Sequence, residues 1–232
     1  MTRSRGNTGG DRSQNFFGGR QSGIGYNVYN TPQEAEPSTE QEAARAAQAR
    51  ADYGRSRSVF VVHGRDEEVR TAMFGLLHRL DLRPLEWERL VRATGGTAPF
   101  LGEVIEKALS QAQAALVLLT PDDVAKLHPH LLGDNEPPYE TQSTGQPRQN
   151  VLIELGMALM AYPERTIIVQ VGQVRPAADL AGRNVIHFDG SEAAVAKIVE
   201  RLKGAECDLD DTRPDWRDIS YFRNLAAYRR LA

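Results

Sequence analysis

The chain has one cysteine, no excess of basic side chains and no long apolar run. Cys207 cannot form an internal disulfide or build a zinc site alone, which predicts a reducing compartment. A formal net charge of -3 over 232 residues indicates no general affinity for nucleic acid. No stretch approaches the roughly 20 apolar residues of a membrane span, and the first residues lack the apolar core of a secretory signal. We therefore expect a cytoplasmic protein with neither a membrane nor a nucleic acid as a partner.

Several motifs of common enzymes are missing as well. The sequence contains no Gly-x-x-x-x-Gly-Lys-Ser/Thr phosphate loop, no Gly-x-Gly-x-x-Gly dinucleotide fingerprint and no Gly-x-Ser-x-Gly nucleophile elbow. His128, His130 and Asp134 have a spacing that specifies no familiar metal site. These absences argue against a nucleoside triphosphatase, a dehydrogenase and a serine hydrolase, and we expect no metal and no bound cofactor.

The composition divides the chain into three parts. Residues 1–57 contain too few apolar side chains to fold alone, which predicts a disordered segment; 43–51 favour helix by propensity but lack a hydrophobic face, as in a spacer. We predict a globular domain over 58–205 and a C-terminal tail over 206–232. A short helix that docks on the domain is expected in this tail, because apolar residues recur there at every third position: Trp216, Ile219, Phe222, Leu225 and Tyr228.

Within 58–205, short apolar runs alternate with helical patterns. The runs predict five strands, at 58–62, around 85–87, and at 115–119, 166–171 and 184–188. Asp66 is the expected N-cap of the first helix of the domain. Because the runs are continuous rather than alternating, we predict an α/β fold with a parallel five-stranded sheet covered by helices on both faces. Residues 124–147 interrupt the alternation as one long excursion.

Glu154 is the only ionisable carboxylate between Arg148 and Glu164, in an otherwise apolar helical segment. The apolar side chains leave no polar stripe, so we expect a helix covered on most sides and a glutamate that meets little water. A carboxylate held in a cleft can act on a ligand that develops positive charge. The alternative is a glutamate that the helix dipole stabilises and that points out of the fold.

Four segments are expected at the carboxyl edge of the sheet, where ligands bind in open parallel sheets. They are His63-Gly64-Arg65-Asp66, the Gly95-Gly96 loop, Thr120-Pro121-Asp122-Asp123, and Arg148-Gln149-Asn150 leading to Glu154. The glycine and arginine after the first strand, together with free N–H groups at the next helix, favour an anionic ligand there. Each residue also has an ordinary structural explanation, and the hypothesis of a binding site rests on the meeting of all four segments at one edge. The candidate binding residues are His63, Gly64, Arg65, Asp66, Gly95, Gly96, Thr97, Thr120, Asp122, Asp123 and Asn150.

Three motifs together resemble a known family. They are Val59-Phe60-Val61-Val62-His63-Gly64-Arg65-Asp66, then Leu118-Leu119-Thr120-Pro121-Asp122-Asp123, then Arg148-Gln149-Asn150-Val151 with Glu154-Leu155-Gly156. In this order they look like the signatures of prokaryotic TIR-like proteins, which are predicted nucleotide-binding effectors of anti-phage cyclic-nucleotide signalling. The resemblance covers residues 58–205, but no familiar pattern aligns with 124–147.

The resemblance implies a flavodoxin-like TIR fold and an NAD glycohydrolase with Glu154 as its catalytic residue. NAD would be the substrate, cleaved to nicotinamide and ADP-ribose or its cyclic form, and Gly95-Gly96 would lie in a loop that covers the site. The implied partners are further copies of the chain and an upstream signalling protein or cyclic-nucleotide trigger. A non-catalytic TIR scaffold, a nucleotide sensor and a nucleoside ribosyl transferase are the alternatives.

The N-terminal segment lies outside this resemblance. Residues 15–19 and 23–30 mix asparagine, glycine and aromatic side chains, and the sequence from Gln14 to Gln33 has no acidic residue. Such a composition can stack in register as cross-β, and it is faintly similar to short amyloid signalling motifs that precede immune effector domains. The segment is therefore either a self-assembly motif or a plain linker.

Overall fold

The computed structural model describes residues 39–86 and 101–230. A main sheet and a small antiparallel pair contain seven strands: β1 (Ser58–Val62), β2 (Arg83–Leu85), β3 (Ala114–Leu119), β4 (Asp123–Ala125), β5 (Thr144–Gln146), β6 (Thr166–Val171) and β7 (Ile186–Phe188). The main sheet has the order β2-β1-β3-β6-β7, and all its pairings are parallel. This is the flavodoxin-like order, and it confirms the predicted fold class.

The described helices are α1 (Thr39–Ser56), α2 (Glu67–Arg79), α3 (Leu101–Gln111), α4 (Pro138–Thr141), α5 (Gln149–Ala161) and α6 (Glu192–Gly204). Helices α2 and α6 cover one face of the main sheet, and α3 and α5 cover the other. Side chains of β1 alternate between these two cores, since Val59 and Val61 belong to the first and Phe60 and Val62 to the second. Burial on both faces explains why the strands are continuous apolar runs.

The ends of these elements follow local rules. The Oδ1 of Asp66 accepts the N–H of Val69 at 3.0 Å and so caps α2, as the sequence predicts. Ser191 caps α6 in the same way, through the N–H of Ala194 at 3.2 Å. The second strand begins earlier than expected and shares only Leu85 with the predicted position, while Trp87 lies outside the described residues.

Residues 39–56 form α1, which includes the stretch 43–51 that favours helix by propensity but extends further into the segment 1–57 expected to be disordered. The helix buries no side chain, so alanine-rich propensity rather than packing accounts for it. Just after its end, Arg57 makes ion pairs with Asp81 at 2.8 Å and Asp208 at 3.5 Å. These contacts join α1 to the domain. Residues 1–38, and with them both asparagine- and glycine-rich stretches, lie outside the described residues.

The excursion over 124–147 contains more regular structure than the sequence suggested. Strands β4 and β5 pair antiparallel at its two ends, with Val124 opposite Gly145. Between them lie a 3-10 turn at Pro129–Leu131 and the short helix α4. An ion pair between Arg175 and Glu140 connects this excursion to the loop after β6.

The tail docks on the domain, but as several helical segments rather than the one short helix that the sequence predicts. It forms three 3-10 segments, at Pro214–Arg217, Ser220–Phe222 and Ala226–Arg229. A 3-10 helix has three residues per turn, so apolar residues at every third position fit it better than an α-helix. Trp216, Phe222 and Leu225 are buried in the core formed by α2 and α6.

No helix among residues 39–86 and 101–230 is long and apolar enough to cross a membrane. The cytoplasmic location stays a prediction from the sequence.

Candidate functional site

A cleft opens at the carboxyl edge of the main sheet where the connections from β1 and β3 diverge. Strand β1 lies beside both β2 and β3, so the chain leaves β1 and β3 toward opposite sides of the sheet. Ligands of doubly wound sheets bind at such a switch point. The cleft has a volume of about 520 Å³, which is within the usual range for small-molecule sites. It is lined by Phe60, Val61, His63, Gly64, Arg65, Arg148, Asn150, Val151 and Glu154.

Glu154 enters this cleft from α5. The residue lies in the second turn of the helix, beyond the first-turn N–H groups that a dipole-stabilised glutamate would use. Its side chain is half-buried, and burial raises the pKa of the carboxyl from 4.5 to about 7. With no hydrogen bond or ion pair to any described residue, the carboxylate is free to meet a ligand. This geometry favours the cleft hypothesis over a glutamate that points out of the fold.

Helix α5 itself is less covered than the sequence suggested. Val151, Leu155 and Ala158 are buried against the sheet, as expected for one apolar face. Ile153 and Met160, however, are 51% and 85% exposed. The helix is therefore apolar on its solvent side too, which periodicity alone cannot distinguish from complete burial.

The loop after β1 supplies the opposite side of the cleft. His63 is partly buried, and its ring lies edge-on to Phe74 with the centroids 6.1 Å apart. Its Nδ1 lies 2.9 Å from the carbonyl oxygen of Gly64. Because a carbonyl only accepts, Nδ1 carries the proton in this contact, and a neutral His63 has Nε2 as an acceptor for a ligand.

Gly64, which lines the cleft, is in close contact with Asp122. A Cβ added at Gly64 would overlap the Oδ2 of Asp122, so any larger residue there would force this buried carboxylate to move. The same Oδ2 accepts the backbone N–H of Arg65 at 2.7 Å. Asp122 therefore holds the β1 loop in place and is not among the residues that line the cleft. The sequence predicts Asp122 as a binding residue, whereas in this geometry it supports residues that line the cleft.

Asp66 is also not among the residues that line the cleft. One carboxylate oxygen caps α2, and the other lies 2.8 Å from the Nη1 of Arg230 in the tail. Glu67 and Glu68 occupy the first turn of α2. Three carboxylates already compensate this helix N-terminus, which weakens the expectation that it binds a phosphate.

Positive charge at the cleft comes from two arginines instead. Arg65 has an exposed side chain that makes no ion pair with any described residue. Arg148, which immediately precedes α5, donates from Nη1 to the Oδ1 of Asp123 at 2.9 Å. Asp123 thus orients a cleft residue and does not line the cleft itself, and Thr120 is buried at the end of β3.

Among the other predicted site residues, Asn150 lines the cleft. Gly95, Gly96 and Thr97 lie outside the described residues. Arg148 belongs to a segment expected at the carboxyl edge but is not among the predicted binding residues, although a cation beside a candidate anion site was a usable signal. Arg230 was not predicted, and no local pattern marks that residue. Within the described part of the chain, no group of three or more histidine, cysteine, aspartate or glutamate side chains is arranged to hold a metal.

The family model described as "CAP12/Pycsar effector protein, TIR domain" matches residues 58–190. This match spans more than half of the chain. The chain belongs to the CAP12/Pycsar effector TIR-domain family. Among curated proteins, no sequence is significantly similar to this one.

Membership makes the protein a TIR-type effector domain of the prokaryotic anti-phage kind, as the three motifs suggested. The matched residues of this TIR domain include every side chain that lines the cleft. They end before α6 and the tail, so Arg230 lies outside the family match.

Proposed function

We propose that this TIR domain is an NAD glycohydrolase that breaks the bond between nicotinamide and ribose and acts as an effector in bacterial anti-phage defence. The observation that carries the proposal is the half-buried carboxylate of Glu154, which faces an open cleft and has a pKa raised to about 7 by burial. Family membership supports the same activity. The products would be nicotinamide and ADP-ribose or its cyclic form.

The chemistry needs one carboxylate rather than two. When the C1′–N bond breaks, the bonding electrons go to the pyridinium nitrogen, and nicotinamide leaves as a neutral base without a proton donor. Positive charge then develops on the ribose, and a carboxylate in a site of low polarity stabilises it. Water adds its oxygen to C1′, and Glu154 or solvent takes the released proton. A carboxyl whose pKa is about 7 can both carry the charge and accept that proton at neutral pH.

The raised pKa also fits the charge of the substrate. Desolvation disfavours the ionised form of Glu154, and a cationic nicotinamide in the cleft would offset this cost. We therefore expect kcat/KM for NAD to rise with pH through about 7, since this parameter reports ionisation in the free enzyme. The midpoint in kcat should lie lower, because the bound cation favours the carboxylate.

Arg65 and Arg148 are suited to bind the pyrophosphate of NAD. Both side chains border the cleft, and guanidinium groups bind phosphate oxygens well. Arg65 makes no ion pair with any described residue, whereas Asp123 holds Arg148 in place. We assign the pyrophosphate of NAD to this side of the cleft and the nicotinamide ribose to the side of Glu154.

Incubation of the purified protein with NAD, with free nicotinamide followed over time, tests the proposal. NADH is the matched control substrate, since its dihydropyridine ring is uncharged and is a poor leaving group. The expected result is release of nicotinamide from NAD and no loss of NADH. Assembled protein that binds NAD without consuming it would instead favour the non-catalytic scaffold or nucleotide sensor.

We further propose that activity depends on assembly of several chains through the TIR domain, with a contribution from the N-terminal segment. Ile153 and Met160 expose apolar surface on the helix that carries Glu154, and exposed apolar patches are typical of interaction sites. Specific activity should then rise with protein concentration. A constant specific activity from dilute to concentrated protein would contradict this dependence.

A further inference from the structure

We infer that Arg230 in the C-terminal tail is a positioning residue for the β1 side of the cleft. Its Nη1 lies 2.8 Å from the Oδ2 of Asp66 and 3.8 Å from the Oδ1 of Asp122. The two acidic side chains are 2% and 3% exposed, whereas that of Arg230 is 39% exposed. One partly exposed cation thus neutralises two buried carboxylates.

Both carboxylates depend on this cation. The Oδ2 of Asp66 and the Oδ1 of Asp122 are buried, and apart from their ion pairs with Arg230 neither has a hydrogen-bond partner among the described residues. The second oxygen of each is already in use, because Asp66 caps α2 and Asp122 accepts the N–H of Arg65. Without Arg230, these two buried carboxylates would lose the only cation that pairs with them among the described residues, which is unfavourable in a region that excludes water.

The link to the cleft runs through Asp122. Its carboxylate touches Gly64 and holds the backbone of Arg65, and both of these residues line the cleft. If Asp122 moves away from Asp66, the loop from His63 to Arg65 loses its support. The cleft then changes on the side opposite Glu154, while Glu154 itself stays on α5. Arg230 therefore acts through Asp122 on substrate position and does not touch the reacting atoms.

The kinetic part of this inference rests on the proposed NAD cleavage, but its structural part does not. Replacement of Arg230 by methionine in the full chain removes the charge and keeps an unbranched stem. We expect KM for NAD to rise about tenfold or more, with a smaller change in kcat, because misplacement of a positioning group has effects of this order. Arg230→Lys retains the cation and should keep KM closer to wild type.

Hydrogen exchange at the amide of Arg65 gives a readout that needs no activity. The N–H of Arg65 is bonded to Asp122, so its exchange should accelerate in Arg230→Met and remain slow in Arg230→Lys. Arg229→Met is the matched control, because Arg229 precedes it in the same tail segment and makes no ion pair with any described residue. This control should exchange and turn over like the wild type.

The double variant Asp122→Asn/Arg230→Met covers the case in which Arg230→Met fails to fold. Asparagine keeps an acceptor for the Arg65 amide and removes one of the two buried charges, so the double variant should fold, protect that amide and regain part of the affinity for NAD. Unchanged exchange at Arg65 and unchanged KM in a folded Arg230→Met variant would overturn the inference. If the wild type does not consume NAD but exchange at Arg65 still accelerates in Arg230→Met, the role of Arg230 is upheld and only the proposed function is refuted.

Discussion

Replacement of Glu154 by glutamine removes the charge of this side chain and keeps its size. The pKa of Glu154 is about 7 in the folded protein, against an ordinary value of 4.5 in the unfolded chain, because burial disfavours the ionised form. The folded state therefore binds the proton more tightly. This contribution to stability is fully present below about pH 4.5 and is lost as the pH rises through about 7. Above that range the wild type bears a folding cost that the glutamine variant lacks.

The size of this cost follows from the two pKa values. The change from 4.5 to about 7 corresponds to roughly 3 kcal/mol at most. Because part of the carboxylate is accessible to solvent, we expect about 2 kcal/mol after allowance for screening. For a protein of this size, each kcal/mol changes Tm by about 2–4 °C. Glu154→Gln should thus raise Tm by about 4–8 °C at a pH of about 8.5 and by much less at a pH of about 5.

Thermal melts of the wild type and Glu154→Gln at the two pH values measure the difference in Tm between them. The effects of other titrating groups are common to both proteins and cancel in this difference. The control is Glu164→Gln, since Glu164 is an exposed glutamate just beyond α5. Its effect on Tm should be small at both pH values. An equal Tm difference between Glu154→Gln and wild type at both pH values would refute the conclusion that burial raises the pKa of Glu154.

The same variant tests the chemistry. Release of nicotinamide from NAD should fall by about 100-fold or more, because the amide lacks the charge that opposes the developing cation. A folded variant with undiminished turnover would remove Glu154 from the catalytic role.

Three further changes test the loop after β1, the loop that contains Gly95 and Gly96, and the N-terminal segment. Gly64→Ala should destabilise the protein by about 1–3 kcal/mol in urea melts and weaken NAD turnover, because its Cβ would overlap a buried carboxylate. Replacement of Gly95 and Gly96 together by proline should reduce turnover far more than Tm, since proline fixes φ in a loop that we expect to change conformation when ligand binds or neighbours assemble. Deletion of residues 1–38, which keeps α1 and Arg57, should leave a folded domain that is weakly active when dilute and recovers activity when fused to an unrelated oligomer.

Each of these changes has its own control or contrary outcome. Gly156→Ala is matched to Gly64→Ala, because a Cβ at Gly156 meets no atom within 4 Å and alanine stabilises a helix interior by about 1 kcal/mol. Wild-type activity in the Gly95/Gly96 proline variant would show that this loop is only a connection. Unchanged dilute activity after deletion of 1–38 would make that segment a linker.

Much of the fold was predictable because its signals are local. Continuous apolar runs indicated buried parallel strands, and Asp66 and Ser191 lie where polar N-caps begin their helices. The errors have local causes too. A three-residue apolar period in the tail indicated a helix but not that the helix would be of the 3-10 type. Helical propensity over 43–51 indicated only the middle of a helix that extends from Thr39 to Ser56.

The sequence by itself determined the α/β architecture, the family and the identity of Glu154 as the outstanding carboxylate, since these depend on residue order, periodicity and motif spacing. Only the tertiary structure decided how each site residue is used. Whether Asp66 and Asp122 line the cleft or support it depends on which side of the β1 loop they approach, and Arg230 reaches both from the end of the chain. Pattern reasoning cannot supply such contacts, because the burial and pairing of a charged side chain depend on neighbours that are distant in sequence.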